Sequence, residues 1–178
     1  MRLPILVAAT FALAACAPSY RDATTPIAAQ RDVAPERYLG RWYEIARFPV
    51  IFERGCTATT ADYGAIDART ISVLNTCRKD NPDGPAESIA GTATIVAPGE
   101  LKVRFASVPF VAADYWVLWV DKDYQTAAVG VPSGRAGWIL ARTPTIDPQR
   151  RAEAEAALAR NGYDTTKLYD VPQSPAAR

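Results

Sequence analysis

Two short blocks far apart in the chain limit what it can fold into. The first, Gly40-Arg41-Trp42-Tyr43-Glu44-Ile45-Ala46-Arg47-Phe48, is a glycine followed by aromatic and apolar residues, and it reads as the opening of a strand. The second, Trp138-Ile139-Leu140-Ala141-Arg142-Thr143-Pro144, ends a strand on a lone arginine. In a sheet that closes on itself these two strands are neighbours. Arg142 then meets the Trp42 ring at one end and plugs a barrel by cation–π attraction. Gly40, Trp42 and Arg142 are the structural residues that this picture requires.

Between the blocks, strand signals recur at short spacing with turn residues between them, so the chain reads as all-β. Eight strands are expected, at 42–47, 56–65, 70–78, 87–96, 100–106, 115–121, 124–131 and 137–142. Eight suffice to close an antiparallel up-and-down β-barrel with room for one small ligand. Connections at one end are tight (66–69, 97–99, 122–123) and those at the other are long (48–55, 79–86, 107–114, 132–136), which gives a closed end and an open mouth.

Side chains alternate across a strand, so parity assigns faces. An inward Arg142 carries Leu140 and Trp138 inward with it. A two-residue turn at Lys122-Asp123 then pairs Trp116 with Val129 and Leu118 with Ala127, which turns Trp116, Leu118 and Val120 inward. Leu101, Val103 and Phe105 form the apolar face of their strand, and Ile89, Gly91, Ala93 and Ile95 that of the strand before. Asp147 as N-cap, Pro148 at the first helical position and Asn161-Gly162 as terminator mark a C-terminal α-helix at 149–160. Its small stripe of Ala154, Ala157 and Leu158 is expected to lie on the barrel's flank.

Met1 to Ala15 carries one basic residue, Arg2, and then an apolar run that ends in small residues. This is a secretory signal, too short for an ordinary transmembrane helix. Leu13-Ala14-Ala15-Cys16 resembles the lipobox of bacterial lipoproteins, in which the cysteine is lipidated and becomes residue one; a signal cleaved elsewhere, with Cys16 incidental, is the alternative. Several acyl chains on one residue anchor a protein stably. Ala17, in place of the aspartate that holds such proteins in the inner membrane, implies the outer membrane, facing the periplasm. Residues 16–35 read as a lipidated tether, 36–170 as the domain and 171–178 as a disordered tail.

In that oxidising compartment Cys56 and Cys77 are expected to form a disulfide, two free thiols being the alternative. A hairpin turning at Ile66-Asp67 sets them face to face. That register places Thr59-Ala61-Tyr63 and Ile71-Val73-Asn75 on opposite faces, although both sets look inward. A bulge would reconcile them, and the phase of these two strands stays open.

The residues at 40–48 and 138–144, with Tyr115-Trp116-Val117-Leu118 leading into Asp121-Lys122-Asp123-Tyr124 and with Asn161-Gly162-Tyr163-Asp164, resemble the lipocalin family, and more narrowly the bacterial lipocalins related to apolipoprotein D. The resemblance runs from about Val33 to Leu168. It implies an eight-stranded calyx, a helix on its flank, and binding of fatty acids or other lipids. Apolipoprotein D's own bridges and ligand preference are not carried over, because the cysteine pattern differs.

The inventory excludes most other chemistry. There is no histidine, and the net charge of +1 gives no pull toward nucleic acid. No cofactor, metal or catalytic group is expected. Phe105, Trp116 and Trp138 near the mouth, with Leu118, Leu140, Val103 and Ile89 deeper, are the expected ligand-binding residues of an apolar sleeve. Glu44 shares Trp42's parity and is expected in an ion pair near Arg142. Apolar residues in the mouth loops (Phe48, Val50, Ile51 and Phe52; Val108, Phe110 and Val111) face a bilayer or a second copy in a homodimer, or else bury one another. The function expected is a fatty-acid or lysophospholipid carrier in envelope maintenance. Its rival is an interaction lipoprotein whose barrel is filled by side chains and which docks a protein.

Overall fold

The computed structural model describes residues 19–108 and 110–174. The leader, Cys16 and the last four residues of the expected tail lie outside the described residues. Eight strands close an antiparallel up-and-down barrel: β1 (Gly40–Arg47), β2 (Cys56–Ala65), β3 (Thr70–Lys79), β4 (Ala86–Ala97), β5 (Glu100–Phe105), β6 (Ala113–Val120), β7 (Thr126–Gly130) and β8 (Gly137–Ala141). Each pairs with the next, and β1 closes the ring by pairing with both β8 and β2. One turn of helix, α1 (Pro35–Tyr38), precedes β1, and α2 (Pro148–Arg160) follows β8. A short β9 (Tyr169–Asp170) pairs with Ala46 and Arg47, on the half of β1 that β2 leaves uncovered.

The helix forms for the reasons its sequence gives. Asp147 caps it by accepting the backbone N–H groups of Gln149 and Arg150, and Pro148 starts its first turn. Ala154, Ala157 and Leu158 are buried against Leu118, Ala128 and Ile139 on the outside of the barrel wall. A second cluster lies inside, toward the closed end, where Tyr38, Trp42, Val117, Val120, Tyr124, Ala127, Val129 and Leu140 meet. A third, of Ile71, Val73, Ala93 and Val103, lines the opposite inner wall.

The plug forms as its residues demand. The Arg142 guanidinium lies 3.8 Å from the Trp42 ring centroid. It also donates to the carbonyls of Arg41 (2.8 Å), Arg37 (2.8 Å) and Tyr124 (3.2 Å), tying three elements together. Gly40, at φ +92°, leaves room for this: a Cβ there would stand 3.3 Å from an Arg142 nitrogen.

The β6–β7 hairpin departs from the expected register. Trp116 pairs with Gly130 and Val117 with Val129, then a bulge at Leu118 shifts the pairing to Trp119 with Ala128 and Val120 with Ala127. The turn is not two residues. It spans residues 121–125, with Tyr124 in the left-handed region at φ 58° and Asp121 N–H donating to the Thr126 carbonyl. One residue of slip reverses a strand's faces. Trp116 and Leu118 therefore belong to the outer layer beneath α2, while Tyr115 and Val117 point inward.

The open phase of β2 and β3 resolves through a bulge. Ala61 pairs with Asn75 and Tyr63 with Val73, so both sets face the interior, and the register shifts between Thr57 and Thr60, where Ala58 takes φ 43°. Cys56 and Cys77 are bridged, although the residue directly opposite Cys56 is Lys79.

Two segments expected to be loose are held. Residues 19–34 run along the outside of the barrel as a strap: Asp22 N–H donates to the Gly162 carbonyl (2.8 Å), Gln30 N–H to the Val117 carbonyl (2.9 Å) and Ala34 N–H to the Tyr124 hydroxyl (2.7 Å). Beyond β9, Val171 N–H donates to the Ile45 carbonyl (2.9 Å), and the Pro172 carbonyl accepts from Ala58 (2.7 Å). Neither segment has a hydrophobic period. Hydrogen bonds to β6, to the end of α2 and to the Tyr124 hydroxyl hold the first, and backbone bonds to β1 and β2 hold the second.

Candidate functional site

Strand direction sets the depth of each inward residue. β1 rises from the plug at Trp42 to Arg47 at the mouth, and β8 descends from Trp138 at the mouth to Leu140. On the wall formed by β3, β4 and β5, Ile71 opposes Ala93, Val73 opposes Gly91 and Asn75 opposes Ile89, while Ala93 and Gly91 in turn oppose Val103 and Phe105. Small residues at 91 and 93 keep this wall thin. Ile89 faces inward yet is 36% exposed, as a rim residue of an open mouth must be.

The interior also holds charged groups, of which parity placed Glu44 but not Arg47 or Glu53. A bulge at Ile45 lets Glu44 oppose Leu140 and Arg47 oppose Trp138, so both charges point in. Arg47 donates to a Glu44 carboxylate oxygen at 2.7 Å. Its Nε stands 3.3 Å from Glu53 Oε2, in an ion pair without an aligned hydrogen bond, and it also donates to the Glu53 and Cys56 carbonyls. Trp138 Nε1 donates to the other Glu53 oxygen at 3.3 Å. Burial, reinforced by the Glu53 carboxylate, pushes the Glu44 carboxyl well above the usual range against the pull of Arg47. Burial raises Glu53 as well. Two carboxyl groups thus share one guanidinium, and Glu44 pairs with Arg47 rather than with Arg142.

Deeper in, three tyrosines meet. The Tyr115 hydroxyl lies 2.9 Å from that of Tyr38 and 3.1 Å from that of Tyr63, and the Tyr115 ring stacks on Trp138 at 6.4 Å. Burial pushes the Tyr63 phenol up to about 12 and raises Tyr115 and Tyr38 further, so all three stay neutral donors. Thr59 Oγ1 and Asn75 Oδ1 are buried without a hydrogen-bond partner. Among the described residues no group of three or more Cys, Asp or Glu is placed to hold a metal ion. What the arrangement offers is an inward face that is apolar along β3, β4 and β5 and carries a few neutral or paired polar groups on the other side.

A family model for the lipocalin-like domain matches residues 33–173. The chain belongs to the lipocalin family. Temperature-induced lipocalin-1 of Arabidopsis thaliana is 40% identical to this lipocalin over 146 residues, 78% of either chain. Outer membrane lipoprotein Blc of Escherichia coli K12 is 38% identical over 175 residues, covering 96% of this chain and 97% of that one. Among solved structures, lobster apocrustacyanin A1 superposes with a TM-score of 0.68 at 17% identity, covering 89% of this chain and 94% of its own, and shows the shared fold.

Of the residues expected to line this lipocalin's sleeve, Val103, Phe105, Ile89, Trp138 and Leu140 share the interior, whereas Trp116 and Leu118 stand outside it. Tyr115 occupies the place expected for Trp116. Sequence reasoning missed Arg47, Glu53 and Tyr38, and left the inward phase of Tyr63 open. The signal was faint: Glu44 and Arg47 stand three apart in a strand otherwise too apolar to carry exposed charge.

Proposed function

We propose that this lipocalin is an outer-membrane lipoprotein, anchored through Cys16 and facing the periplasm, that holds or shuttles fatty acids or lysophospholipids in its calyx for envelope maintenance or stress response. The likeness to Blc, named an outer membrane lipoprotein, over nearly the whole chain supports the compartment. The observation that carries the ligand class is the inward wall of Ile71, Val73, Ala93, Val103 and Phe105, continuous with a rim where Ile89 is open to solvent. An acyl chain gains about 0.8 kcal/mol per CH₂ buried. The head remains toward the rim, because the deeper tyrosine hydroxyls already bond to one another. Binding rather than catalysis is the role.

The test separates the two faces of one sheet. Ile89→Asp with Phe105→Asp puts charge on the inner wall near the rim, where both sites are partly exposed and the fold tolerates it. Leu74→Asp does the same on the outer face, where Leu74 is also exposed. The inner pair is expected to weaken binding of a fluorescent fatty acid about tenfold or more, as losing a few buried methylenes would. The outer variant is expected to bind like the parent. Equal binding by all three refutes the calyx reading and favours a filled barrel that docks a partner.

A further inference from the structure

The strap fixes where a membrane anchor leaves the barrel. Ser19 Oγ donates to the Ser133 carbonyl at 3.2 Å and Tyr20 N–H to the Gly134 carbonyl at 2.8 Å. The Tyr20 hydroxyl donates to the Pro49 carbonyl at 2.6 Å, and its ring stacks on Phe48 at 5.1 Å. Residues 133 and 134 belong to the β7–β8 connection, and 48 and 49 to the β1–β2 connection. Both are at the mouth. From there the strap passes the end of α2 and reaches the closed end at Ala34, against Tyr124. Gly134, at φ +68°, permits the close crossing, since a Cβ there would stand 2.2 Å from Arg21 Cγ.

Cys16 is three residues before Ser19, a reach of at most about 11 Å. An anchor on Cys16 is therefore tethered from the mouth side, where Ser19 is held. The closed end lies the length of β1 away, eight residues or about 26 Å. The mouth itself is rimmed with unburied apolar groups. Ile51 and Phe52 on the β1–β2 connection are 78% and 72% exposed, and Phe110 on the β5–β6 connection is fully exposed. In an eight-stranded ring these two connections stand on opposite sides of the opening. With Ser19 and Tyr20 at the β7–β8 connection they make three points around one rim, and three points set a plane.

We infer that the calyx opens directly onto the bilayer holding its own anchor, with Ile51, Phe52 and Phe110 seated among the headgroups, so that a lipid passes between bilayer and barrel without crossing water. Exposed Arg54 beside Phe52 suits the phosphates of that surface. The inference rests on acylation of Cys16 and is independent of which lipid the calyx holds.

The test uses the full acylated chain in vesicles of phosphatidylethanolamine and phosphatidylglycerol, with a spin label on Phe52→Cys, Phe110→Cys or, at the closed end, Ile66→Cys. Ile66 is exposed on the β2–β3 turn. Labels at 52 and 110 are expected to lose about threefold or more of their contact with an aqueous nickel complex relative to the label at 66, while gaining contact with oxygen, as groups a few ångströms inside the interface do. Equal nickel contact at all three positions, or shielding at 66 alone, overturns the orientation. Shielding of 52 and 110 from both reagents, with spin coupling between molecules, overturns it in favour of a second copy over the mouth. The mass of the purified protein reports acylation separately, and a mature chain without acyl chains also overturns the inference.

Discussion

Trp42→Ala is expected to lower the stability of the barrel by about 4–5 kcal/mol, near the top of the range for removing a buried tryptophan. The ring is fully buried beneath the Arg142 guanidinium and 4.8 Å from the Tyr38 ring, and its Nε1 donates to the Tyr38 carbonyl at 2.8 Å. Truncation removes the floor on which α1 rests. Arg142 remains tied to three carbonyls by hydrogen bonds that do not need the ring, so the cavity cannot collapse. For a domain of this size the loss corresponds to a midpoint lower by about 10 °C or more. Trp42→Phe keeps most of the volume and loses the N–H, and is expected to cost only about 1–2 kcal/mol. Denaturant unfolding of both variants checks this, and a Trp42→Ala cost as small as that of Trp42→Phe contradicts the plug.

Arg47→Met is expected to cost about 3–5 kcal/mol at pH 8, because it leaves two buried carboxyl groups without their shared counter-charge. The penalty depends on pH in a direction the site dictates. Glu44 and Glu53 titrate above their unfolded value of about 4.3. The folded chain then holds protons that the unfolded chain has released. The contribution of these two groups to stability is therefore greatest below the unfolded value and falls as pH rises through the raised folded one. Without Arg47 both carboxyl groups rise further, so the Arg47→Met penalty is expected to shrink markedly at pH 5. Adding Glu44→Gln, which keeps an acceptor and removes a charge, is expected to restore part of the loss at pH 8. Urea titrations at the two pH values read the effect. A penalty that is the same at both contradicts the shared-guanidinium arrangement.

The fold was largely legible because its determinants are local or lie in strand parity. Asp147, Pro148 and the small stripe at 154, 157 and 158 announce the helix. Trp42 and Arg142 announce the closure, since few other arrangements bring a strand-end arginine onto a strand-start tryptophan. What escaped, apart from the bulge in β2 that the sequence offered as a way to reconcile its faces, was what hangs on a single inserted residue. A bulge at Leu118 turned Trp116 and Leu118 out and Tyr115 in, and one at Ile45 turned Arg47 inward beside Glu44. Bulges are placed by the sheet's closure and twist, a property of all eight strands together. The strap escaped for a different reason, as its hydrogen bonds and the scattered packing of Tyr20, Ile27 and Val33 follow no hydrophobic period.

The candidate site divides the same way. Its apolar wall at 89, 91, 93, 103 and 105 followed from alternation alone. Its polar groups required the register. The tyrosine trio joins residues 38, 63 and 115, each unremarkable in its own stretch of sequence.

On the function proposed for it, the barrel interior is expected to hold an acyl lipid. Native mass spectrometry of the full mature chain, purified from membranes and exchanged out of detergent, tests it most directly when paired with organic extraction of the noncovalent fraction. The account predicts a bound species whose mass is that of a fatty acid or lysophospholipid, lost on extraction and regained when fatty acid is added back with quenching of tryptophan fluorescence through Trp138. A protein that arrives empty, takes up no added fatty acid and shows no quenching contradicts it.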